Sequence, residues 1–198
     1  MAQYFDNVEG LRHRGLSVEF TLFGERYHLD SDDGVFSKNR LDEGTRLLLE
    51  TIGKDDLGTK ILDVGCGAGP IGLILARLDP KRQVTLCDVN ERALILSRKN
   101  ALSLGVASQV EIVNSDVYLN IPSIYDTIVS NPPIRAGKKV TYRIYDEASS
   151  HLGENGKLIL VIRKKQGADS VRAHLETLFS KVCVRANKKG YRILIAQK

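Results

Sequence analysis

The chain has no uninterrupted apolar run near the roughly 18 residues that read as a membrane-spanning helix. Its first residues mix Asp6, Glu9, Arg12, His13 and Arg14, which suits neither a secretory signal nor an acid-free transit peptide. The expected compartment is the cytoplasm, and no membrane partner is expected. Cysteine is scarce. Cys66, Cys87 and Cys183 are odd in number, widely spaced and without a CxxC pair, so neither a disulfide framework nor a zinc site is expected. All three have apolar sequence neighbours and read as small buried hydrophobes. The four histidines, His13, His28, His151 and His174, show no ligand spacing, and no Ser/His/Asp arrangement is evident. Internal repeats and low-complexity stretches are also lacking.

Acid is scarce in one region only. Residues 135–198 carry 15 Lys/Arg against 5 Asp/Glu, whereas residues 1–58 carry 7 against 12 and residues 59–134 carry 7 of each. The basic third includes Arg135, Lys138, Lys139, Arg143, Arg163, Lys164, Lys165, Lys188, Lys189 and Arg192. Such clustering suits a polyanionic partner bound through counterion release. The competing reading is a solvated surface.

The 198 residues are 42% hydrophobic and 27% charged, which fits one globular domain. Ser17–Phe23 alternates polar and apolar residues, Gly24-Glu25 turns, and Arg26–Leu29 follows, a hairpin signal. Asp42 precedes a helical pattern that Gly53 stops. From Lys60 onward strands and helices alternate. Strands are predicted at Lys60–Val64, Gln83–Cys87, Val110–Val113, Tyr125–Ser130, Lys157–Ile162, Val182–Ala186 and Tyr191–Ala196. Helices are predicted at Ile71–Leu78, Glu91–Leu104, Thr141–Leu152 and Ala168–Phe179. The pattern predicts an α/β, doubly wound, mostly parallel seven-stranded Rossmann-like sheet with an antiparallel last strand. A short N-terminal β-hairpin extension over 1–33 is expected before a core over 34–198, within a single domain.

Asp63-Val-Gly65-Cys66-Gly67-Ala-Gly69 joins the first core strand to a helix. Glycines there permit a tight turn and close approach of a ligand. A dinucleotide loop would read GxGxxG and bare helix N–H groups to a pyrophosphate. Here the third glycine comes one residue early and Pro70 removes an N–H. S-adenosylmethionine (AdoMet) has no phosphate, so that loss costs it nothing. Asp63 can meet its ammonium, directly or through a water. Asp88 follows the next strand and suits a grip on ribose hydroxyls. After the third strand, Asp116 can accept from the adenine amino group, and the Val117 N–H can donate to a ring nitrogen.

On three stretches, Gly34–Asp42, Asp63–Gly69 and Asn131-Pro-Pro-Ile-Arg-Ala-Gly-Lys138, the chain resembles the class I AdoMet-dependent methyltransferases. Within them it is similar to the small-domain family typified by the RsmC-like ribosomal RNA guanine methyltransferases. The resemblance implies methyl transfer to an exocyclic amino nitrogen of a base, guanine in small-subunit ribosomal RNA first of all. It implies a cofactor site of Phe36, Ser37, Asp63, Gly65, Cys66, Gly67, Gly69, Asp88, Val89, Asn90, Asp116, Val117 and Asn131. The catalytic tetrad is Asn131, Pro132, Pro133 and Ile134, and no metal is needed. The Asn131 side-chain carbonyl and the Pro132 carbonyl can accept from the acceptor N–H₂, while Pro133 freezes the backbone. Ile134 stands where many amino-group methyltransferases carry a stacking aromatic; Phe36 and Tyr142 are substitutes for that role. Asp42 reads more simply as a helix N-cap. The expected partner is ribosomal RNA or a small ribosomal subunit, bound through the basic C-terminal third, with the protein a monomer or homodimer. Adenine in nucleic acid, a protein glutamine amide, and a non-catalytic nucleic-acid-binding module on this fold remain as alternatives.

Overall fold

The computed structural model describes residues 15–32, 40–133 and 136–198. Strands β1 (Leu16–Leu22) and β2 (Glu25–Ser31) form a separate antiparallel hairpin around Phe23-Gly24. Helix α1 (Glu43–Ile52) follows, then β3 (Lys60–Val64), α2 (Pro70–Leu78), β4 (Gln83–Asp88), α3 (Glu91–Ser103), β5 (Val110–Asn114) and β6 (Tyr125–Ser130). The chain ends with α4 (Lys138–Asp146), β7 (Leu152–Arg163), α5 (Ala168–Leu175), β8 (Lys181–Lys188) and β9 (Tyr191–Gln197).

The sheet runs β5-β4-β3-β6-β7-β9-β8. Only β9 is antiparallel to its neighbours, and it sits between β7 and β8. Its two-residue turn puts Lys189 at φ 52° and Gly190 at φ 79°, the twist that a tight hairpin demands. Burial alternates between the two faces. Ile61, Val129, Ile159, Val161 and Ile193 pack toward α1, α2, α3 and the hairpin. Leu62, Ile128, Leu158, Leu160 and Leu194 pack toward α4 and α5. Apolar residues on both faces of one strand are what a doubly wound sheet needs.

The chain builds outward from β3 to β5 and then returns to lay β6 beside β3. That reversal opens a crevice at the C-terminal ends of β3 and β6, where open α/β sheets bind ligands. Side chains pin the two strands at both ends. The Asp126 carboxylate accepts the Thr59 and Lys60 N–H groups (2.7 and 2.8 Å), and the Ser130 hydroxyl donates to the Val64 carbonyl (2.7 Å).

The hairpin joins the main core through Val18, Phe20, Leu22, Tyr27 and Leu29. Asn100, fully buried on α3, stitches it down. Its Oδ1 accepts the Asp30 N–H (2.7 Å), and its Nδ2 donates to the Asp30 and Ala68 carbonyls (3.0 and 2.9 Å). Asn100→Leu strands these backbone groups in an apolar site. It is expected to cost about 3 kcal/mol of stability, as read from denaturant unfolding.

Three expectations need correction. The predicted helix over 141–152 instead starts at Lys138 and ends at Asp146; a short 3-10 turn at Ala148–His151 precedes β7. Strand β7 begins at Leu152, earlier than expected, because Leu152 pairs with Tyr125 before the ladder skips to Lys157 opposite Thr127. Asn155-Gly156 sits in that bulge, so its turn signal is real but interrupts a strand. Cys183 is also exposed rather than buried, since β8 is an edge strand with one face open; Cys66 and Cys87 are buried as expected.

Candidate active site

The loop after β3 is shaped by left-handed glycines, with φ 70° at Gly65, 58° at Gly67 and 85° at Gly69. Side-chain-bearing residues rarely adopt such angles. The end of β4 supplies the loop's hydrogen bonds. The Cys87 carbonyl accepts the Gly65 and Cys66 N–H groups (2.9 and 3.0 Å), and Asp88 Oδ2 accepts the Gly67 N–H (2.9 Å). Asp88 Oδ1 accepts the Asn90 N–H (2.9 Å), and Asn90 in turn caps α3. Asp88 is buried beneath the loop, and both its carboxylate oxygens shape the glycine turn and the start of α3. Val89, between them, is half-buried. Cys66 lies under the loop with its thiol near the Gly67 carbonyl and Ser97; burial and nearby acids push its pKa well up, so it is no nucleophile.

Asp63 is fully buried at the end of β3. Its Oδ2 accepts the Gly72 N–H (2.8 Å), while Oδ1 has no hydrogen-bond partner among the described residues. Burial, with some help from the nearby Asp88 charge, raises its pKa to about 7, against the pull of the Gly72 bond. A buried, half-satisfied carboxylate is costly unless a cation completes it. Orphaned Asp63 Oδ1, at the end of β3 where the glycine turn begins, is therefore a fit for the ammonium of an amino-acid moiety.

The third strand's end is tied to α4. Asp116 is exposed, and Arg143 of α4 donates to its Oδ2 (2.8 Å) and to its carbonyl (3.3 Å). Val117 is held at φ 56°, unusual for a β-branched residue, while the Ser115 hydroxyl donates to its carbonyl (3.0 Å).

Asn131 follows β6. A Cβ built on Gly65 would lie 3.6 Å from Pro133 Cδ, so the glycine loop and the prolines adjoin. Asn131 Nδ2 donates to Asp42 Oδ2 and to Thr45 Oγ1, both at 3.1 Å. Asp42 Oδ2 also accepts the Thr45 N–H (3.0 Å), so the residue is the N-cap of α1 and an anchor for Asn131 at once. With its N–H₂ spent on α1, the amide keeps Oδ1 as its remaining acceptor. Thr45 and the second role of Asp42 were not read from the sequence, because these contacts span 86 and 89 residues.

Tyr142, half-buried on α4, packs against Tyr145 and His174 at 5.5 and 4.8 Å between ring centroids rather than standing free to stack. Phe36, Ser37 and Ile134 lie outside the described residues. Among the described residues no cluster of His, Cys, Asp or Glu could hold a metal ion, and no helix is long and apolar enough to cross a membrane.

Fold and site together define a Rossmann-like methyltransferase. The chain belongs to the methyltransferase small-domain family, whose profile matches residues 26–195. It is 43% identical to an uncharacterized Bacillus subtilis protein, YbxB, over 98% of both chains. It is 34% identical to ribosomal RNA small subunit methyltransferase C of Vibrio vulnificus, covering 79% of this chain and 45% of that protein. Among solved structures, the T. thermophilus 16S rRNA N2 G1207 methyltransferase (RsmC), in complex with AdoMet and guanosine, superposes with a TM-score of 0.81. That likeness has 25% identity and covers 94% of this chain and 50% of that one. The chain thus spans nearly all of the Bacillus relative but about half of the RsmC proteins.

Proposed function

We propose that the protein transfers the methyl group of AdoMet to an exocyclic amino nitrogen of a nucleic-acid base, with guanine in small-subunit ribosomal RNA as the acceptor. The observation that carries this reading is the clamped Asn131 amide with its acceptor oxygen unspent, two residues from Pro133, which adjoins the glycine turn. The names of the RsmC relatives support guanine and ribosomal RNA over other acceptors. On this reading the protein works in the cytoplasm.

AdoMet, when bound, supplies an electrophilic methyl on a sulfonium and needs no metal. The work of the chain is positional and electrostatic. Asp63 Oδ1 meets the ammonium of the amino-acid end, and the bared glycines let backbone approach the ligand closely. Asp88, with Val89 and Asn90 beside it, faces the ribose. Asp116 and Val117 border the adenine, Asp116 with one oxygen already turned to Arg143. An exocyclic base amine has its lone pair delocalised into the ring. Asn131 Oδ1 and the Pro132 carbonyl accept its two N–H groups, aim the nitrogen and raise its electron density. The acceptor proton becomes acidic only as the nitrogen gains positive charge, so no strong base is required.

Two expected results check the clamp. Asp42→Asn keeps a good helix cap but can turn an N–H₂ toward the Asn131 N–H₂. Thr45→Val removes the second acceptor at nearly constant shape. Each is expected to lower kcat about tenfold, the worth of one hydrogen bond, with AdoMet affinity unchanged by calorimetry. An acceptor screen with labelled AdoMet across ribosomal RNA, DNA and protein tests the proposal itself. Label in RNA supports it; label in DNA or protein alone overturns the acceptor, and no transfer to any of them overturns the activity.

A further inference from the structure

The basic third of the chain is partly neutralised once folded. Arg143 pairs with Asp116 and Glu147, Lys189 with Glu43, and Arg192 with Asp169. Arg163 donates to the Tyr191 hydroxyl (2.7 Å), with its guanidinium 5.0 Å from the ring centroid. Several exposed lysines of this third keep no ion pair among the described residues, and three of them lie on one rim: Lys164 and Lys165 just beyond β7, and Lys188 at the end of β8.

Strand register brings these three together. Tyr191 pairs with Arg163 on one side and with Lys188 on the other. The Lys164 N–H donates to the Gly190 carbonyl (2.9 Å). Because β8 and β7 both run antiparallel to β9, their C-terminal ends share the rim on which β6 delivers Asn131. Paired residues share a sheet face, and Tyr191 lies on the α1 side, where a Cβ on Gly44 would meet its ring at 2.8 Å. Lys188 therefore shares the face that packs the first turn of α1, the turn that clamps Asn131, and Lys164 and Lys165 follow on the same rim. From β6 to β8 is three strand spacings, roughly 14 Å. That sets the charges beside the acceptor position, within reach of neighbouring nucleotides.

We propose that Lys164, Lys165 and Lys188 form a docking surface for the phosphodiester backbone of the acceptor RNA, holding it while Asn131 addresses one base. The inference rests on the RNA reading above and locates where that RNA is held. Phosphate contacts set register without reading sequence, which suits unpaired lysines better than arginines already locked in pairs.

The test is fluorescence anisotropy with a fluorescein-labelled, unmodified transcript of small-subunit ribosomal RNA, titrated between about 50 and about 200 mM salt. The Lys164→Ala/Lys165→Ala/Lys188→Ala variant is expected to bind at least about tenfold more weakly. Its log K against log salt slope is expected to be shallower by about two to three, near one for each phosphate no longer neutralised. AdoMet affinity stays unchanged. A control variant, Lys60→Ala/Lys81→Ala/Lys181→Ala, removes equal charge at the opposite rim and is expected to keep the wild-type slope. An unchanged slope in the rim variant, or equal losses in both variants, overturns this surface while RNA methylation by the wild type still stands. A wild-type protein that neither binds nor methylates RNA overturns both.

Discussion

Asn131→Ala is expected to lower kcat for methyl transfer by about a hundredfold to a thousandfold, the range for removing one preorganised polar group at a reacting centre. The AdoMet dissociation constant should stay within about threefold of wild type, since the cofactor's amino-acid end is met by Asp63 and the glycine loop instead. The substitution removes an acceptor aimed at the nucleophilic nitrogen; half-exposed Asp42 can hydrate in its place, while the buried Thr45 hydroxyl bears only the modest loss of one hydrogen bond. A folding defect lowers activity and cofactor binding together, whereas loss of a positioned acceptor lowers kcat alone. Single-turnover kinetics beside calorimetry distinguish the two.

Asp63→Asn is expected to have the next largest effect, weakening AdoMet binding about ten- to a hundredfold, the worth of a charge-assisted hydrogen bond. It should also change the pH dependence. With a free-protein pKa of about 7, only about a tenth of the Asp63 carboxyl is ionised at pH about 6 and about half at pH about 7, so wild-type affinity should rise about fivefold over that interval. Above about pH 8 the cofactor's α-amino group loses its proton, and affinity should fall again. Binding near pH 6 should release close to one proton, visible as a dependence of binding heat on buffer. The Asn variant loses the rising limb. Stability shifts in the opposite sense. The folded-state pKa is raised above the unfolded value, so this carboxyl favours the fold most below pH about 4, and that contribution is lost as pH rises through 7. Bound cofactor offsets the loss.

The strand–helix alternation was plain in the sequence because the buried strands are apolar runs bounded by glycine, proline or a cap. The glycine turn and Asn131-Pro132-Pro133 were legible for the same reason: local backbone chemistry, written in consecutive residues. What escaped was written across distance. Nothing near Asn131 in sequence says that its amide is held by Asp42 and Thr45, and the cap at Asp42 is a complete local explanation that conceals a second role. Asn100 reads as one more polar helix residue until the hairpin folds over it. The charge count over 135–198 was right and its meaning only partly so, because Arg143, Lys189 and Arg192 find acids from other segments. The break between α4 and β7 was not legible because the Leu152–Tyr125 pairing lies before a register skip that only the neighbouring strand defines.

Whether the acceptor is a base amine presented to Asn131 is decided by nucleoside mass spectrometry of unmodified small ribosomal subunits, incubated with the protein and isotope-labelled AdoMet. Label on the N2 position of guanine, absent with Asn131→Ala, is the expected result. Label confined to a ring carbon, a ribose oxygen or protein, or label undiminished in that variant, would refute a base amine held by Asn131.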